Sequence, residues 1–207
     1  MPANRRPVLA LRITDSKEQP LELSDIDADS IRFTIAAIKT DKSGESRYHN
    51  YILTRVAGKE YVYKGETRKP VLTETTQPNF DNGGTLARLR PGVFTYTFKT
   101  ALPADYDRNA THVLGGELIR EKGKYVANPL FEFVPSGGKV KAQRAVVENA
   151  TCNNCHDPLK YHGGTRRAVG YCALCHTSQL TDPESGEKSR IQSLRPQDPP
   201  RQASPER

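Results

Sequence analysis

VFTYTFKT, residues 93–100, is the most regular stretch of the 207-residue chain. Phe94, Tyr96 and Phe98 fall on one side of a period of two, and Thr95, Thr97 and Lys99 on the other. That is the pattern of a β-strand with one face in a core. Further out, SIRFTIAAI at Ser30–Ile38 sets Ile31, Phe33 and Ile35 on one face, and the turn residues Asp41-Lys42-Ser43-Gly44 close it. PVLALRIT at 7–14 alternates Leu9, Leu11 and Ile13 with Ala10 and Arg12. Tyr48–Val56, Glu60–Lys64, Ala110–Arg120 and Tyr125–Val134 complete the set, with Gly115-Gly116 reading as a bulge. Residues 65–92 read as a long polar connection punctuated by proline and glycine. About seven short strands with almost no helical periodicity predict a mainly β chain. Residues 1–140 are then an N-terminal antiparallel β-sandwich of Ig-like or Greek-key type. It has no cysteine for an inter-sheet disulfide and no catalytic constellation.

The sandwich ends at Pro135–Val140, a PSGGKV linker, and the chemistry changes. All four cysteines lie beyond it, in Cys152-Asn153-Asn154-Cys155-His156 and Cys172-Ala173-Leu174-Cys175-His176. C-x-x-C-H is the attachment signature of haem c: two thiols add to the porphyrin vinyl groups, and the next residue, histidine, reaches the iron. Residues 141–187 therefore read as an irregular segment with two covalent haem c sites. Cys152, Cys155, Cys172 and Cys175 supply the thioethers, and His156 and His176 are the proximal ligands. Without the histidines the spacing is C-x2-C-x16-C-x2-C, which also fits a four-cysteine zinc site. Zinc closed by four thiolates has no use for a histidine after each pair. A disulfide or redox pair is a third alternative, but no βαβ context accompanies it.

Met1 is the only methionine, so a His/Met iron is not expected. Of the three remaining histidines, His162 stands between the two motifs and is followed by Gly163-Gly164, which let the backbone pass close to a flat ligand. Six residues after His156, it is expected to be a distal ligand to the neighbouring haem rather than to the haem of His156. His49 and His112 lie among the strands and read as ordinary surface or strand-end histidines. Bis-histidine ligation implies a low potential, because the thioether of methionine is what raises it.

The formal charge is +7 and the pI about 9.3. Lysine and arginine are scattered rather than clustered, and each haem adds two propionates, so no nucleic-acid partner is expected. No apolar run reaches the roughly 20 residues of a membrane span. Haem c is attached outside the cytoplasm, so the chain is expected to be exported, with a signal sequence that this sequence does not include. The last residues, 188–207, are rich in proline, arginine, serine and glutamine and predict a disordered tail.

The run Val134–Gly138, Arg144, Cys152–His156, Leu159, His162–Gly164, Arg166 and Tyr171–Thr177 resembles the OmcA/MtrC-type multihaem outer-membrane cytochromes. ITD at 13–15, SIRFTIAAI and VFTYTF resemble their first β-domain. The resemblance implies a first β-domain followed by the opening of a five-haem domain, in a chain that reads as a truncated N-terminal part. It implies low-potential electron transfer at the periplasmic or cell-surface side of the outer membrane. The partners it implies are other multihaem cytochromes or an outer-membrane conduit, with soluble flavins or metals as outer-sphere acceptors. His156 and His176 match proximal ligands, His162 a distal ligand, and Arg166 an arginine near the haem that suits a propionate. After Gly186 the sequence departs from the family, turning to arginine- and proline-rich low complexity. Two other functional classes stand beside the electron carrier: a four-cysteine zinc-binding interaction module, and a non-functional truncation that receives no haem.

Overall fold

The computed structural model describes residues 5–27, 29–42, 44–141, 149–153 and 159–188. Their strands are β1 (Val8–Arg12), β2 (Ile31–Thr40), β3 (Ser46–Asn50), β4 (Leu53–Ala57), β5 (Tyr61–Tyr63), β6 (Glu66–Arg68), β7 (Glu74–Pro78), β8 (Thr85–Arg90), β9 (Val93–Thr97), β10 (His112–Arg120), β11 (Tyr125–Ala127) and β12 (Leu130–Phe133). Two short helices follow, α1 (Asn149–Asn153) and α2 (Val169–Cys175). Every strand pairing is antiparallel. One sheet has the order β1-β9-β8. The larger has the order β11-β10-β2-β3, with β12 also on β10. β4 pairs with β7 and β5 with β6, and together they make one long hairpin arm.

The two sheets close over the side chains that the alternation marks. Phe33 and Ile35 of β2, Leu114 of β10, Tyr96 of β9, Phe98 and Leu102 form one buried cluster, with Leu9 and Leu11 of β1 packed against it. Phe94, Tyr96 and Phe98 are all buried, as their spacing predicts. Phe33 and Tyr96 have ring centres 4.9 Å apart, and Tyr96 meets Phe98 edge-on at 5.1 Å. Each such aromatic contributes roughly 1.5–3 kcal/mol by leaving water. The carboxylate of Asp81 is buried beside them. It accepts hydrogen bonds from the Tyr96 hydroxyl (2.9 Å), the Lys99 and Thr100 amides (2.8 and 3.0 Å) and the Thr100 hydroxyl (2.6 Å). A carboxylate with that many donors is satisfied without a counter-charge.

His112 belongs to this interior. It is fully buried, its Nδ1 lies 2.9 Å from the Ala110 carbonyl, and its Nε2 lies 3.1 Å from the Tyr51 hydroxyl. Of the two neutral tautomers, Nδ1–H satisfies both, donating to the carbonyl and accepting from tyrosine. Burial also lowers the affinity of the ring for a proton.

The larger sheet has a second covered face. Ala36 and Ile38 of β2, Tyr48 of β3 and Val113 of β10 pack against Tyr171, Ala173 and Leu174 of α2. This explains Gly115-Gly116, where the expected bulge is absent: β10 keeps unbroken register with β2 through Gly115↔Thr34 and Gly116↔Phe33. A Cβ on Gly115 would meet Leu174 Cδ1 at 2.4 Å and Tyr171 Cδ2 at 2.8 Å. The glycine is there for the close approach of α2 to the sheet. The register shift lies instead between β8 and β9, at Arg88/Arg90. Two other expectations change. Residues 65–92 hold β6, β7 and β8, strands whose polar residues are largely exposed and which show no apolar alternation. Tyr125–Val134 is two strands, because Pro129 has no amide to donate and its carbonyl instead accepts from Gly116.

The linker stays tied to the sheet, Ser136 N to Arg108 O at 2.9 Å and Lys141 N to Thr111 Oγ1 at 3.3 Å. Residues 177–188 lie along the arm: the Val71 and Leu72 amides donate to the carbonyls of Glu184 and Pro183 at 3.1 and 2.9 Å. Lys188 bridges Thr181, and the tail from residue 189 onward lies outside the described residues.

Two outcomes follow from this packing. Gly115→Val is expected to lower stability by about 1–3 kcal/mol through overpacking against α2. Gly138→Ala, where a Cβ makes only ordinary contact at 3.5 Å or more, should be close to neutral; thermal melts of both variants check this. The second outcome concerns His112, whose folded-state proton affinity lies below that of the unfolded chain. The unfolded state therefore binds more protons once the pH drops through about 6.5, and stability falls on the acid side while staying level above it. The slope of melting temperature between pH 7 and pH 5 should be shallower in His112→Gln than in the parent.

Candidate haem-binding site

α2 is short, and Ala168 before it offers no side-chain cap. Its first amide is satisfied from elsewhere: Asn149 Oδ1 accepts from Val169 N at 2.8 Å, while Asn149 Nδ2 donates to the Arg167 carbonyl. The first residue of α1, the helix that carries Cys152, thus caps the helix of the second motif. Val169, Tyr171, Ala173 and Leu174 turn inward, and the Leu174 carbonyl accepts from Asn50 Nδ2 of β3 at 2.9 Å. Cys172 and Cys175 are three residues apart and share one side of the helix. Both are free, partly buried thiols. Burial raises the Cys172 pKa and pushes that of Cys175 up to about 11, so both are protonated at neutral pH. His176 ends the helix, its amide bonded to the Cys172 carbonyl at 2.9 Å.

His162 comes to this end of α2 on a tight loop. Tyr161 and Arg166 form an isolated antiparallel bridge with both backbone bonds made, at 3.1 and 3.2 Å. Between them His162, Gly163 and Gly164 all have positive φ, 51°, 73° and 84°. A left-handed histidine is costly, and it persists here because both ends of the loop are held. Asn128 holds one end, donating to the Thr165 carbonyl at 3.2 Å and accepting from the Arg167 amide at 2.8 Å. The His162 and His176 ring centres are 6.3 Å apart, with their planes at 54°. Two imidazoles that each bind a metal at about 2 Å from opposite sides have their centres about 6 Å apart. Burial, and then the positive charge of Arg166, lowers the proton affinity of His162. Burial, then His162 and Arg166, does the same for His176. Neutral rings keep the lone pair that a metal needs. Two axial imidazoles beside two thiols suit an iron whose equatorial positions a macrocycle fills, so these residues fit a haem.

Arg166 stands beside the pair with its back to the sheet. Its Nε donates to Glu117 Oε2 at 2.9 Å, and its guanidinium carbon lies 5.9 Å from the Tyr171 ring centre. Glu117 Oε1 accepts from Arg32 at 2.8 Å. Glu117, Arg32, Asn128 and Asn149 were not legible as site residues. The available signal was an acid inside the apolar run VLGGELI, opposite an arginine in SIRFT. His49 and His112 lie on the other face of the larger sheet. His49 rests edge-on against Tyr51 at 6.1 Å, beside a cavity of about 460 Å³ lined also by Tyr106, Asp105 and Asp107. Of the first motif, Cys152 has its backbone in α1, and its side chain lies outside the described residues, as do Cys155 and His156.

Residues 144–195 match the family model of the outer membrane cytochrome MtrC/MtrF-like, domains II/IV. The multiheme cytochrome MtrC of Shewanella baltica (strain OS185) is 32% identical over 107 residues, which is 46% of this chain and 16% of that protein. In fold, the chain is similar to the crystal structure of the outer membrane decaheme cytochrome OmcA, with a TM-score of 0.73 at 24% identity. That likeness covers 89% of this chain and 29% of the OmcA chain, so the chain spans well under half of either relative. In fold over most of its length, and in sequence over residues 144–195, the chain is similar to the OmcA/MtrC-type outer-membrane cytochromes.

Proposed function

We propose that this chain carries two haem c groups and passes electrons between them and external acceptors. The observation that carries the reading is the pair of imidazoles, His162 and His176, with ring centres 6.3 Å apart at the end of the helix that carries the Cys172 and Cys175 thiols. When bound, haem supplies a one-electron couple whose potential its ligands and surroundings set. In this reading Cys172 and Cys175 would hold the macrocycle by thioethers, and His176 and His162 would bind its iron, His176 as the motif's own ligand. Cys152, Cys155 and His156 hold the other haem by their motif. Arg166, which bonds Glu117, would pair with a propionate.

With two histidine ligands the site would conduct rather than bind substrate, and its potential would be low. Metals or soluble flavins would be reduced through space at an exposed edge. The partners are other multihaem cytochromes or an outer-membrane conduit, and the chain works after export, in the periplasm or at the cell surface. Among the described residues no helix is long and apolar enough to cross a membrane.

Production with an export signal and the haem-attachment machinery, followed by intact mass and a pyridine haemochrome spectrum, tests this. The expected result is a gain of two haem masses, falling to one in Cys172→Ser/Cys175→Ser. His162→Ala should keep both haems and convert one from low to high spin. An unmodified mass with four free thiols and bound zinc would overturn the reading in favour of a zinc module. An unchanged low-spin spectrum in His162→Ala would remove His162 as a ligand. Asn149→Ala should cost about 1 kcal/mol as a lost helix cap and loosen α2, read by amide exchange over 169–175.

A further inference from the structure

Glu117 lies in the middle of β10 with no side-chain exposure, yet it is an acid on the face that receives α2. Burying a carboxylate is expensive, and an apolar residue of similar size often serves stability as well or better. Both of its oxygens are engaged by cations. Oε1 takes Arg32 at 2.8 Å, its direct cross-strand partner on β2, and Oε2 takes Arg166 at 2.9 Å. Arg166 also supplies both backbone bonds of the bridge that closes the His162 loop. One carboxylate therefore anchors the loop on the sheet and stands as a negative charge between two arginines behind the His162–His176 pair.

We infer that Glu117 is a positioning and charge-setting residue: through Arg166 it fixes the His162 loop, and its charge sets the reduction potential of the site between His162 and His176. This rests on the haem reading above. Reduction adds one electron at that site, delivered by the electrode or reductant of the titration, with no bond made or broken. Nearby negative charge opposes the added electron and nearby positive charge favours it. With Glu117 neutralised, Arg32 and Arg166 stand uncompensated, and the reduced state gains. Arg32 is the outer partner, its side chain about a third exposed, and it bonds Glu117 Oε1 while Arg166 bonds Oε2, so its loss removes positive charge at the other oxygen.

The test is a potentiometric titration of the holoprotein, followed at the haem whose low-spin signal His162→Ala abolishes. Glu117→Gln is expected to raise its midpoint by an amount equivalent to about a tenfold change in the oxidised-to-reduced ratio, about 59 mV for one electron. Arg32→Gln should lower it. Amide exchange over 161–166 should quicken in Glu117→Gln and stay unchanged in Arg32→Gln. A purely structural Glu117 would lower the melting temperature without moving the two midpoints in opposite directions. That result in a haem-bearing, six-coordinate protein overturns this inference alone. If Glu117→Gln fails to fold, the sign of the Arg32→Gln shift decides: a fall supports the inference and no change overturns it. A parent chain that takes up no haem overturns both readings.

Discussion

β2 and β10 have to satisfy two interiors at once. On one side their side chains complete the sandwich, with Phe33, Ile35 and Leu114 among the rings of Tyr96 and Phe98. On the other they receive α2 with Ala36, Ile38 and Val113. Central strands covered on both faces are ordinary where helices flank a parallel sheet, but this sheet is antiparallel, the kind that commonly leaves one face to water. Here the haem-motif helix takes the place of water. The second interior is thin because the helix approaches over a glycine, and its contacts are made by a few residues, Ala36, Ile38, Tyr48 and Val113 against Tyr171, Ala173 and Leu174.

Polar groups then secure what the thin apolar layer cannot. Asn50 at the end of β3 bonds the Leu174 carbonyl and Thr34, and its backbone amide and carbonyl exchange bonds with the side chain of Gln179, at 2.7 and 3.1 Å. Asn128, Asn149 and Glu117 hold the loop and the helix from three directions. Each is a directional bond, so together they specify where His162 and His176 sit more narrowly than hydrophobic contact does. Satisfied polar groups and satisfied charges are also what make the interior tolerable at all. Asp81 on the far face follows the same rule without a cation.

The fold was legible wherever one face was plainly apolar. Ile31, Phe33 and Ile35, and Phe94, Tyr96 and Phe98, announce strands and point to the same core. β7 and β8 were not legible, because they pair along exposed edges where either face accepts polar residues. The second face of β2 was hidden for a different reason: Arg32, Thr34 and Ala36 are what a solvent-facing row contains, and only the glycines of β10 mark the approach of another element. The candidate site was legible as a group of residues, through the cysteine and histidine spacing and the glycines after His162, and the fold brings His162 to His176. It was not legible in its supports, because a single glutamate or asparagine carries no periodic signature. The division at residue 140 followed a change of composition, whereas the hydrogen bonds of Asn50, Asn128 and Glu117 cross it.

A strand read from both sides works as a gauge. Sliding β2 by one residue moves it about 3.3 Å and exchanges its faces, which would send Phe33 and Ile35 toward a helix with room only for Ala36 and put Arg32 among aromatic rings. Neither interior can relax without breaking the other, so the strand has a single setting. The distance between the sandwich and the second haem motif is therefore a discrete quantity, fixed in whole residues rather than adjusted by soft contacts.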